Sequence, residues 1–259
     1  MSEITADDPS VVIPAAASVG FAAQRGLRKG LEMAGWIVVL ALVSLGLFSV
    51  IERAIFIIEA ITQPSADPLS VYGPFDVRYY EHYVATIGHL IPALLIVLIG
   101  PLQFIRRVRN AYRTRHRWCG RVFLVCGVVG ASTGFFIGAL YPFMGATGDG
   151  FNESMATVAI TGYTLFVLAR AYLTARRRQF AAHREWMIRS FSIMLGIATE
   201  RVLLATLMAT TEIGVGELFG ATFWMAGVIH ITAAEAWIRL TRTPGNGLRH
   251  WKDLDASTQ

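Results

Sequence analysis

The chain has 259 residues, of which 54% are hydrophobic and only 16% charged, with a mean hydropathy of +0.50. Soluble domains carry about 25% charged residues, so this composition excludes an ordinary water-soluble globule. The net charge of +5 does not indicate a nucleic-acid binder, because the arginines sit at the ends of apolar runs rather than on one soluble face.

Residues 1–30 combine Pro9, Pro14, several alanines and three acids before ending in Arg25, Arg28 and Lys29. They read as a mostly disordered cytoplasmic tail, without the cation-first pattern of a cleavable signal peptide. The first span covers about 34–58 and is uncharged until Glu52 and Arg53, which lie ~27 Å from its start and so reach the opposite interface. Residues 59–82 read as an outside loop, in which Glu59, Asp67, Asp76 and Glu81 face the single base Arg78. Tyr72, Phe75, Tyr79, Tyr80 and Tyr83 gather at its end as an interfacial aromatic belt. Span two follows at 84–105.

Residues 106–121, R-R-V-R-N-A-Y-R-T-R-H-R-W-C-G-R, hold seven arginines and no acid. Arginine-rich short loops stay on the cytoplasmic side, so this stretch sets the expected orientation. Span three is 122–141; its Gly130, Gly134 and Gly138, with Gly127 nearby, form a stripe that lets another helix approach closely. The segment 142–153 has acids and no base and reads as outside. Span four is 154–174, a second basic loop is 176–189, span five is 186–210, and span six is 218–240. The tail from residue 242 is basic again. The expected fold is an all-α polytopic bundle of six transmembrane helices over 31–241, with both termini in the cytoplasm and the bundle in a bacterial inner membrane. Cys119 and Cys126 are two helical turns apart on one span, ~10 Å of rise, which excludes a disulfide between them and leaves no Cys-based metal site.

Both basic loops carry His-Arg followed by a further arginine, H-R-W-C-G-R from His116 and H-R-E-W-M-I-R from His183, and each opens a span. Before them comes G-H-L-I-P-A-L-L-I-V-L-I-G-P-L-Q-F from Gly88, and after them T-E-R from Thr199. In this order the motifs resemble bacterial predicted membrane proteins grouped as domain of unknown function 2306, over about 79–207. The positions that fit the family pattern are His89, Pro92, Pro101, His116, Arg121, His183, Arg189 and Arg201. Glu200 stands where that pattern is apolar. The resemblance implies a membrane fold and location and no particular chemistry.

Ionisable side chains within a bilayer are costly and usually mark a site or an internal pair. Helical rise puts His89 ~9 Å inside the outer end of span two, Glu200 and Arg201 at a similar level on span five, and His230 ~16 Å down span six. Pro92 frees the Gly88 carbonyl, an expected acceptor for His89. Glu200 and Arg201 differ by ~100° around their helix, so each is expected to need a partner on another span or an aqueous cavity. Glu235 is expected to pair with Arg239 one turn on.

Three functions follow. In the first, histidines bind haem b, and the protein passes electrons between quinone and another acceptor. The axial pair is His89 with His230, where Arg201 offsets a propionate, or His116 with His183 at equivalent helix ends. In the second, Glu200, Arg201 and His230 surround a cavity in a proton-coupled small-molecule transporter. In the third, these groups lock helices of a non-catalytic scaffold. Arg117, Arg121, Arg184 and Arg189 are expected to meet anionic lipid phosphates at the headgroup level. Phosphate-cradling loops, serine elbows, H-E-x-x-H and Cys-x-x-Cys are not found.

Overall fold

The computed structural model describes residues 15–143 and 150–242, and among these every regular element is a helix. Six helices are long and apolar enough to cross a membrane: Lys29–Thr62, Tyr83–Phe104, Arg113–Leu140, Gly150–Arg176, Phe180–Thr210 and Val215–Thr241. In the last five, only 28% to 39% of each apolar window is buried inside the protein. The rest of that apolar surface faces outward, which hydrocarbon tolerates and water does not. The protein is therefore a membrane protein built as a helix bundle.

The first helix, α1, runs Ala15–Thr62. Residues 15–30 are thus helical and not an irregular tail. Alanine is the best helix former and no proline follows Pro14 until Pro64, so nothing stops the helix from starting early. Residues 1–14 and the tail from 243 lie outside the described residues. The chain divides after Ala41, and the bundle proper is built from Leu42 onward.

The expected outside loop is largely a helix, α2 (Pro68–Glu81). Asp67 caps it by accepting the Ser70 N–H at 3.3 Å, and Pro68 fills the first turn, where its missing N–H costs nothing. At Gly73, φ is +72°, a backbone state that favours glycine, and the helix kinks there ahead of Pro74. α3 (Tyr83–Phe104) starts at His82, where α2 has just ended.

The arginine stretch is also helical, as α4 (Arg106–Ala111) and the first turns of α5 (Arg113–Phe135), separated only by Tyr112. Arginine is a good helix former, and repulsion among seven of them is relieved once each side chain points outward. α5 ends in a wider, π-type turn over Phe136–Leu140. α6 (Gly150–Arg176) joins α7 (Phe180–Met194) through a tight cap. Arg178 has φ +57°, the Gln179 N–H donates to the Thr174 carbonyl at 2.9 Å, and the Arg178 N–H to Ala175 at 3.1 Å. This is the Schellman arrangement, here without its usual glycine, and it replaces the expected second basic loop. Span five breaks at Leu195 into α7 and α8 (Gly196–Thr210), and α9 (Val215–Thr241) completes the bundle.

α3 packs on α5, α5 on α6, and α6 on both α7 and α9. The glycine stripe on α5 serves more than one neighbour, and Gly127 also meets Met194 of α7. Gly130 and Gly134 face Pro92 and His89 of α3, whereas Gly127 and Gly138 face Leu168 and Thr157 of α6. On α9, a β-carbon at Gly220 would stand 2.7 Å from the Glu153 backbone nitrogen and 2.8 Å from the Asn152 carbonyl carbon, whereas one at Gly162 would meet nothing within 4 Å. Backbone cannot yield as a side chain can. We expect Gly220→Ala to lower stability by roughly 1–3 kcal/mol through overpacking, and Gly162→Ala to leave the melting temperature in detergent unchanged or slightly higher.

Candidate functional site

The helix ends opposite the arginine stretch gather a polar cluster within an aromatic shell. Arg78 of α2 donates to the Glu153 carboxylate at 2.6 Å, and the two side chains are 7% and 3% exposed. Glu153 stands in the first turn of α6, where a helix N-terminus favours an anion, and its second oxygen accepts the Phe143 N–H at 2.7 Å. The Arg78 guanidinium lies 5.3 Å from the Phe75 ring, 4.8 Å from Tyr79 and 5.4 Å from Phe219, close enough for cation–π attraction. Burial alone would depress this guanidinium, but Tyr79 and Glu153 outweigh it and hold it above its ordinary value. Arg78 Nε remains buried without a partner.

Glu200 lies near this pair and is 1% exposed. One oxygen accepts from the Thr222 hydroxyl on α9 at 3.3 Å. That hydroxyl also donates to the Phe219 carbonyl at 2.9 Å, and one hydrogen cannot serve both acceptors fully. The other Glu200 oxygen is buried with no hydrogen bond, and its nearest cation is Arg201 Nε at 3.7 Å. So Glu200 does take a partner on another span, as its position predicts, yet it also touches its own neighbour. The flexible Arg201 side chain bends back despite the ~100° between the two positions. Arg201 is partly exposed, and its guanidinium lies 6.0 Å from the Phe75 ring.

The candidate histidines are held on different partners. His89 Nδ1 donates to the Gly130 carbonyl of α5 at 2.9 Å, not to the carbonyl freed by Pro92. Gly134 permits this: a β-carbon there would stand 3.1 Å from the ring. His230 is engaged by Thr199 and Ser192 of span five, so His89 and His230 do not face one another with free nitrogens. His116 and His183 both fall in the first turn of their helices. His183 Nδ1 donates to the Ala171 carbonyl at 2.9 Å, which leaves Nε2 to accept, and His116 Nδ1 is buried without a partner. No group of three or more His, Cys, Asp or Glu among the described residues is placed to hold a metal ion.

At the arginine end the ion pairs cross between spans. Arg189 of α7 takes both oxygens of Glu235 on α9, at 2.5 and 2.9 Å, whereas the sequence pairs Glu235 with Arg239. Glu185 accepts two bonds from Arg242, at 2.7 and 2.6 Å, and lies 4.0 Å from Arg189. Of the four arginines expected at lipid phosphates, Arg189 is thus turned inward on two acids, and Arg184 donates to Thr241 at 3.2 Å. Arg117 and Arg121 are exposed, with Arg121 stacked 4.8 Å over Trp118.

A family of predicted membrane proteins, DUF2306, matches residues 86–238, more than half of the chain. The chain belongs to this family. The match begins later than the motifs suggest and extends through α9, so it takes in Glu153, Glu200 and His230 while Arg78 precedes it. Among curated proteins and solved structures, none matches the chain.

Sequence reasoning missed the Arg78–Glu153 pair. Arg78 stood out as the one base among four acids, but Glu153 fell one residue short of span four. An acid placed just where a helix begins was the available signal.

Removing one partner of a buried ion pair strands the other. Arg78→Met is expected to cost about 3–5 kcal/mol, and Arg78→Met with Glu153→Gln to recover most of that loss. Thermal unfolding of the four proteins in detergent, read as a double-mutant cycle, gives the coupling.

Proposed function

We propose that this protein is a proton-coupled membrane transport protein and that Glu200 is the group that binds the proton. The observation that supports this is the hydrogen-bond deficit at Glu200. As an anion it has a shared hydroxyl, an orphaned oxygen and one cation at 3.7 Å, a poor exchange for the water it gives up. A proton on the carboxyl resolves the conflict. The acid can then donate toward Thr222 Oγ1 while Thr222 keeps its 2.9 Å bond to Phe219. Glu153, by contrast, has both oxygens hydrogen-bonded, one by Arg78 and the other by the Phe143 N–H. Of these two buried carboxylates, the one with the unsatisfied oxygen is the better suited to proton exchange. In the orientation set by the arginine stretch, this cluster opens toward the non-cytoplasmic side of a bacterial inner membrane.

In potassium-loaded vesicles containing the purified protein and a pH-sensitive dye, valinomycin imposes an inside-negative potential. We expect proton entry well above that of protein-free vesicles, reduced at least tenfold by Glu200→Gln and unaffected by Glu217→Gln. Wild-type entry no faster than that of protein-free vesicles would end this reading.

A second reading is favoured by the Nδ1-to-carbonyl bond of His183, which fixes the tautomer a histidine uses as a metal ligand. His116 and His183 are then the residues that would hold haem b, and the haem would supply one-electron transfer, with quinone as partner. His230, with both nitrogens bonded to hydroxyls, fits that role poorly. The purified protein would show a haem absorption band that sharpens on reduction and is lost in His116→Ala and His183→Ala. A colourless protein from haem-supplemented cells removes this reading.

A further inference from the structure

Below Glu200, toward the arginine end, the interface of span five and α9 is lined by polar side chains. On span five these are Glu185, Arg189, Ser192 and Thr199, at spacings of four, three and seven residues that keep one helical face. On α9 they meet His230 and Glu235. His230 is 5% exposed, and its protonation state can be read from its partners. Ser192 Oγ donates to the His230 backbone carbonyl at 2.9 Å, so its hydrogen is spent. At 3.3 Å from Nδ1 it can therefore only accept, and Nδ1 carries the proton. Nε2 is bare and accepts from the Thr199 hydroxyl at 2.7 Å.

The imidazole therefore has an acceptor nitrogen toward the residue beside Glu200 and a donor nitrogen toward the arginine end. The backbone is broken at this level as well. α7 gives way to α8 at Leu195, and Gly196, beside the break, faces the ring; a β-carbon there would stand 3.9 Å from His230 Cδ2. The charged and titratable groups around the path are Glu200, Arg201, Arg189 and Glu185 on span five, Glu235 on α9 and Tyr163 on α6, which senses Arg189 and Glu235. Among the described residues none of these bonds the ring, so its partners are the two hydroxyls.

Resting on the Glu200 reading, we propose that His230 relays the Glu200 proton along this interface to the arginine end. The Glu200 carboxylic acid, which shares no hydrogen bond with Thr199, releases its proton through a water to Thr199 Oγ1, whose own hydrogen passes to His230 Nε2. The imidazolium then gives its Nδ1 proton to Ser192 Oγ, which hands one on toward Glu235 within the Arg189 pair. No proton is gained or lost by the relay, and a water-assisted shift of the ring proton from Nε2 back to Nδ1 restores the starting tautomer. Water is the co-reactant on the first stage and again on the last, where His230 and Glu235 are five residues apart, ~7.5 Å of rise along α9.

The test uses the same vesicles and compares Glu200→Gln, His230→Gln, Thr199→Val and wild type, each checked for an unchanged melting temperature. The relay predicts that His230→Gln slows proton entry at least tenfold and Thr199→Val at least threefold. If Glu200→Gln is slow while both relay variants run at the wild-type rate, the relay is wrong and the Glu200 reading stands. If Glu200→Gln runs at the wild-type rate, both fall. Should His230→Gln fail to fold, Thr199→Val, which keeps the ring and removes only the hydroxyl, decides the matter.

Discussion

A charge in hydrocarbon must find a counter-charge or give up its proton, and the polar side chains of this bundle obey that constraint one by one. The idealised cost of desolvating an ion is on the order of 20 kcal/mol and several kcal/mol remain after relaxation, so each ion placed in a span needs a specific answer. Arg78 answers with Glu153, Arg189 with Glu235, and Arg242 with Glu185, all at 2.5 to 2.9 Å. Each pair joins two helices, and so the pairs fix which helices are neighbours and at what height. Arg53 extends the same logic to α1, whose side chain reaches Asp76 of α2 at 2.5 Å and lies 4.3 Å over the Tyr79 ring.

Glu200 departs from this pattern, and the departure has a local cause. The residue beside it is the arginine, and adjacent positions on a helix diverge, so the approach stops at 3.7 Å with no hydrogen bond. A glutamate needed only for packing would cost less as an apolar residue. Buried polar groups that are incompletely satisfied destabilise, and their persistence is most simply understood where they act.

The six spans were legible because hydropathy is additive: twenty apolar residues declare themselves whatever surrounds them. The helical character of residues 106–121 was not, because hydropathy reports what lies in lipid and is silent on the conformation of what lies outside it. α2 was hidden by three prolines, although Asp67 and Pro68 together spell a helix start. The pairings were the least legible part. Glu235 has a suitable arginine one turn away on its own helix, yet its two oxygens meet Arg189, forty-six residues earlier. Local spacing ranks only local partners, and a bidentate bond across spans lies beyond what it can see.

The glycines explain how the polar and apolar parts coexist. His89 lies close against Gly134 of α5, where a β-carbon would stand 3.1 Å from the ring, and His230 lies against Gly196, where a β-carbon would make an ordinary 3.9 Å contact. In both cases a histidine lies against a neighbouring helix's backbone. The result for His89 is a 2.9 Å bond to a carbonyl and a longer 3.4 Å contact with the Thr133 hydroxyl, both at Nδ1, and a half-buried ring. His230 instead meets two hydroxyls on opposite sides of its ring, which is what passing a proton through an imidazole requires and what anchoring a helix does not. The two rings thus differ in where they are contacted: both polar contacts of His89 fall on Nδ1, whereas those of His230 fall on both nitrogens.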